Sequence, residues 1–131
     1  MRRCCWLLYA MVLVLAAGSV LGQTRDLNSP SAADCSQATT TAAMRTCQNT
    51  RYEAAQHNLE TVYQSLLKQL DSAGKEKLRR AQRAWLRFRD ANADFQASAA
   101  QGGTLAPLVR ITVLTDMTNA RTAELQKQTS P

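Results

Sequence analysis

The stretch "YEAAQHNLETVYQSLLKQL", Tyr52 to Leu70, decides the fold. Its apolar and small residues fall at Tyr52, Ala55, Leu59, Val62, Leu66 and Leu70, in steps of three and four, with Tyr63 and Leu67 widening the stripe. That is the period of a helix with one buried face, and the alternation of a strand is absent. Met44 and Cys47 extend the pattern upstream, so a first helix is expected from about Thr41 to Leu70. Asp71, Ser72 and Gly74 interrupt it and supply capping chemistry for the next.

A second helix is expected from about Gly74 to Ala100, on a stripe of Leu78, Ala81, Trp85, Phe88 and Phe95 with Asn92 as a polar intrusion. Gly102 and Gly103 stop it. Pro107 suits the first turn of a third helix, whose stripe of Leu108, Ile111, Leu114, Thr118 and Leu125 is weaker. Short connections between long amphipathic helices make neighbours antiparallel, so the expected fold is all-α, a small antiparallel three-helix bundle.

Before the bundle, Arg2 and Arg3 precede an apolar run from about Trp6 to Ala17 and small residues at Gly18, Ser19 and Gly22. This is the layout of a signal peptide over residues 1–22, with Val20 and Gly22 at the minus-three and minus-one positions. The run is shorter than the roughly 20 apolar residues of a spanning helix, so no stable membrane insertion is expected after cleavage. Cys4 and Cys5 leave with the leader, and no cysteine follows the cleavage site to carry a lipid. The expected product is exported, periplasmic or secreted. It has a flexible segment over 23–34, rich in Asn28, Ser29 and Pro30, and a helical domain over 35–131. Loss of Arg2 and Arg3 lowers the formal charge from +6 to +4, which favours anionic partners.

Cys35 and Cys47 remain, and export brings them to an oxidising compartment where a disulfide is expected. Twelve residues of unbroken helix would hold them about 18 Å apart, so the helix must begin after Cys35 and the preceding arm must fold back. Such a short loop contributes roughly 3 kcal/mol.

The segment "LRRAQRAWLRFRDA", Leu78 to Ala91, concentrates five arginines. Arg79, Arg80, Arg83 and Arg87 fall away from the apolar stripe, with Lys75 one turn earlier, as a solvated basic face. Glu76 is spaced to pair with Arg80, and Asp90 with Arg87. Trp85 and Phe88 are expected in the core. Arg89 flanks the stripe and suits an ion pair with Glu53, Glu60, Asp116 or Glu124 on another helix; Asp90 suits one with Arg51 or Arg121. His57, the single histidine, lies among polar residues. No nucleophile has a base at motif spacing, no cluster suggests a metal and no glycine loop suggests a phosphate, so neither catalysis nor a cofactor is expected.

Several stretches, "DCSQA" at 34–38, "NLETVYQSLL" at 58–67, "AQRAWLRFRDA" at 81–91, "GGTLAP" at 102–107 and "LTDMTNAR" at 114–121, together resemble the lysozyme inhibitor LprI-like family. The resemblance implies a small exported helical domain and inhibition of lysozyme. Two cysteines usual in that family are replaced by Ala93 and Val113; their joint absence implies that they pair with each other, leaving Cys35 for Cys47. It also removes a staple, which predicts the third helix to be the loosest.

Three roles follow. The first is a lysozyme inhibitor that plugs a cleft holding two carboxylates, through Gly102, Gly103 and Thr104 or through the face of Arg83 and Arg87; against a basic lysozyme a +4 partner loses steering. The second is a basic module holding anionic cell-wall polymer or lipid head groups through Lys75, Arg79, Arg80, Arg83 and Arg87. Nucleic acid would suit the same face, but export removes it as a partner. The third is an assembly component docking through the third helix. Tyr63, Trp85, Phe88, Arg89, Asp90 and Arg121 are assigned to the core and its ion pairs.

Overall fold

The computed structural model describes residues 34–100 and 103–129. The stretch expected to be a signal peptide, nearly all of the 23–34 segment and Gly102 lie outside the described residues. Three helices follow in order: α1, Thr41–Gln69; α2, Ser72–Ser98; α3, Ala106–Thr129. No described residue is in a strand.

Local chemistry sets the boundaries. The Thr40 hydroxyl accepts a hydrogen bond from the Ala43 amide at 3.1 Å and caps α1. Leu70 turns extended, and Asp71 caps α2 by accepting from the Gly74 amide at 2.7 Å. Gly74 permits this approach, because a Cβ there would stand 2.9 Å from the Asp71 carboxylate oxygen and 3.2 Å from Leu70 Cβ.

The expected disulfide is present. Cys35 and Cys47 have Cα atoms 5.9 Å apart, which fastens the arm to α1 two turns from its start. Within the arm, Ala38 donates to the Cys35 carbonyl at 3.0 Å. The Asp34 carboxylate accepts from the amide and the hydroxyl of Ser36, both at 2.9 Å, and these bonds hold its carboxyl below the ordinary value.

The bundle runs up, down, up. α2 is antiparallel to α3, as Asp94 with Arg110 near one end and Gln82 with Arg121 toward the other require. α1 and α3 are parallel and form the most extensive seam, while α1 and α2 make little close backbone contact. Small side chains explain the difference: Ala54 and Ala55 of α1 and Thr115, Thr118 and Thr122 of α3 are all buried, and small residues let two backbones approach. Leu59, Leu66 and Leu67 of α1, Leu78 of α2 and Leu125 of α3 form the core, with Val62, Tyr63, Leu70 and Trp85 packed against it. Burying each leucine is worth about 2 kcal/mol.

Two expectations are overturned. The third helix is not the loose one, for it packs on both others. Its buried threonines bring no unmet polar groups, because Thr115, Thr118 and Thr122 each donate to a carbonyl four residues back at 2.6–2.9 Å. Phe88 is not a core residue: it is 62% exposed and Phe95 is 74% exposed. α2 is rotated so that Leu78, Gln82, Trp85, Arg89 and Ala93 face inward, and Arg89 is only 8% exposed.

Candidate functional site

Where α1 and α2 stand apart, a groove of about 470 Å³ runs between them. Gln56, Glu60 and Tyr63 line it from α1, and Arg79, Gln82 and Arg83 from α2. Its existence follows from side-chain size: α1 has small residues for α3, whereas α2 presents Trp85 and Arg89 inward and is held off. Smaller depressions of about 360 and 260 Å³ lie along the α2–α3 and α1–α3 seams.

Arg89 also lines the groove, but its bonding is consumed internally. Nε and Nη2 donate to Asp90 Oδ1 at 2.9 and 2.8 Å, and Nη1 donates to the Thr118 hydroxyl at 3.4 Å. Its guanidinium carbon lies 5.8 Å from the Tyr52 ring centroid and 5.2 Å from that of Trp85. A second guanidinium, of Arg121, stands 5.9 Å from the Trp85 ring, donates to Gln82 at 3.2 Å and meets Glu124 at 2.6 Å. Tyr52, Arg89, Trp85 and Arg121 therefore form one stack of alternating rings and cations across the three helices.

This arrangement corrects the expected ion pairs. Arg89 meets Asp90, its neighbour on α2, and no carboxylate of another helix. Asp90 pairs with neither Arg51 nor Arg121; Arg121 pairs with Glu124, and Arg51 Nε is buried without a hydrogen-bond partner among the described residues. Glu76 reaches Arg83 at 3.8 Å, not Arg80. An α2–α3 bridge that spacing did not suggest joins Arg110 to Asp94 at 2.6 Å and raises the Arg110 pKa.

The predicted basic face is divided. Arg79 and Arg83 are exposed at the groove; Arg80 and Arg87 are exposed but not part of its lining. Gly103 and Thr104 are exposed beyond the end of α2 and contribute nothing to the groove. Tyr63 is half-buried on its wall. The signal that was overlooked is Gln82, Arg89 and Ala93, an inward row spaced by seven and four.

Fold and groove together define a class: a small, disulfide-pinned helical domain whose exposed cations border a cleft between two helices. A family model described as "Lysozyme inhibitor LprI" matches residues 32–125. The chain belongs to that family. It is also similar to an uncharacterized protein of Rhizobium meliloti (strain 1021), 28% identical over 107 residues, covering 72% of this chain and 77% of the relative. No solved structure matches it.

Proposed function

We propose that this chain is an exported, non-enzymatic inhibitor of lysozyme that acts by adhesion, with Arg79 and Arg83 as its contact edge. Membership of a family described by that activity carries the reading. Residues 1–22 act as a cleaved leader and 35–131 as the working domain. The edge suits its target chemically, because glycoside-hydrolysing clefts carry two carboxylates and arginine matches carboxylate geometry bidentately. Both arginines stand on one long helix, so binding need order only their side chains and not the backbone that carries them.

The test is the rate at which lysozyme clears a cell-wall suspension in the presence of the exported chain. Slowing at micromolar concentrations is expected, with the loss of inhibition in an Arg79→Glu, Arg83→Glu variant that keeps its helicity. An unchanged rate at high excess of the wild-type chain overturns the proposal.

One observation favours a second reading, binding of anionic envelope polymer or lipid head groups. Arg79, Arg80 and Arg87 form no ion pair among the described residues, so their charges face solvent unneutralised. Cosedimentation with isolated cell wall that falls steeply with salt would support it.

A further inference from the structure

We propose that the outer face of α2 is a self-association surface, on which a second copy of this chain packs its own α2 in antiparallel orientation.

The sequence of α2 carries two interleaved stripes. One faces the bundle. The other, Ala81, Ala84, Phe88, Ala91 and Phe95, is spaced three, four, three and four, the seam spacing of paired helices. All five residues are exposed, and Phe88 and Phe95 are two of the three large hydrophobic side chains exposed among the described residues. The bundle uses neither ring, and none of the groove-lining residues belongs to this stripe.

Size complementarity selects the partner and its direction. With two such helices antiparallel about a two-fold axis near residues 89 and 90, Phe88 meets Ala91 of the other copy, Ala91 meets Phe88, and Phe95 meets Ala84. The four layers made by Ala84, Phe88, Ala91 and Phe95 each set one ring against one methyl group, the large-to-small alternation that fills a seam, and Ala81 meets the small Ser98 at either end. A parallel pairing would oppose ring to ring and methyl to methyl, leaving wide and empty layers in turn.

Charge agrees with the same register. Arg87 flanks the stripe one residue before Phe88, and Asp94 occupies the equivalent place before Phe95. In the antiparallel pairing Arg87 of each copy faces Asp94 of the other, making two opposite-sign contacts. Asp94 remains 63% exposed despite its bridge to Arg110, so its carboxylate can accept a second cation.

The area suffices for a modest dimer. At roughly 200 Å² a ring, the two phenylalanines leave about 270 Å² exposed per copy. With the alanines and the Arg87 stem, two copies bury on the order of 1,000 Å², the lower end of specific interfaces. A micromolar dimer is therefore expected.

Sedimentation equilibrium of the exported chain from about 1 to 200 µM tests this. A monomer–dimer equilibrium is expected. Phe88→Ser with Phe95→Ser should give a monomer of unchanged helicity, because both rings are outside the core. Arg87→Asp should weaken the dimer about tenfold, and combining it with Asp94→Arg should restore it to within about threefold. A wild-type monomer throughout the range overturns the proposal, as does a dimer indifferent to the serine pair. If the wild type is monomeric and the serine pair loses lysozyme inhibition while Arg79→Glu, Arg83→Glu keeps it, the face belongs to lysozyme; self-association is then refuted independently of the inhibitor reading.

Discussion

The seam between α1 and α3 and the seams made by α2 solve the same problem with opposite chemistry. The first is dry and close: Ala55 and Thr118 are fully buried, and Leu125, also fully buried, reaches the leucines of α1. The second is polar and open, built of a guanidinium–aromatic stack, an Asn92 to Met117 contact at 3.1 Å and the Asp94–Arg110 bridge. Small side chains bring two backbones together, whereas Trp85 and Arg89 act as spacers. The groove between α1 and α2 is the geometric consequence, so the element that supplies the candidate contact arginines is also the one least tightly packed against α1.

That contrast predicts unequal damage. Leu125→Ala removes a fully buried side chain from the core and should cost about 3–5 kcal/mol, near the whole stability of a domain this small. Urea unfolding followed by circular dichroism measures it. A loss of less than about 1 kcal/mol would mean that the close seam is not where stability resides.

The open seam can instead be strengthened. Ala93, which is fully buried, and Val113 lie between the contacts Asp94–Arg110 and Asn92–Met117, which puts the two positions at the same level of the α2–α3 seam. Ala93→Cys with Val113→Cys should oxidise spontaneously and add about 3 kcal/mol by closing a loop of roughly 20 residues. Stability should rise under oxidising conditions and fall back with reductant. Free thiols in the oxidised sample would show that the seam is wider than its polar contacts indicate.

Much of this molecule was legible from residue spacing. The interval from Tyr52 to Leu70 and the cap at Asp71 placed the first two helices within about two residues at each end, Pro107 placed the start of the third, and the cysteine separation required the folded-back arm. The rotation of α2 was only half legible: the expected stripe joined Leu78 and Trp85, which do face inward, to Ala81, Phe88 and Phe95 of the outer stripe, because hydropathy favours phenylalanine over Gln82 and Arg89. Phe88 nevertheless points outward. Arg89 takes the inward place because Tyr52, Trp85, Asp90 and Thr118 jointly satisfy its charge, and those partners come from three helices. α3 misled for a related reason. Its threonines count as polar in sequence, yet each hydroxyl is spent on its own helix, leaving a small methyl surface suited to close packing. The groove was illegible because it is a space left between helices, set by side-chain sizes on three elements at once.

The smallest effect isolates the stack itself. Arg89→Lys keeps the charge near the rings but replaces a planar fork by a point charge, losing the stacked face and the reach to Thr118. Thr118 is not left unsatisfied, since its hydroxyl already donates to the Leu114 carbonyl at 2.6 Å. The cost should therefore be about 1–2 kcal/mol, below that of Leu125→Ala, and only weakly dependent on salt because the Arg89 side chain is buried. Unfolding measured at low and high ionic strength separates the alternatives. A cost equal to that of Leu125→Ala would make the stack, rather than the leucines, the organising contact of the bundle, and the distinction between the close and open seams would then be one of appearance only.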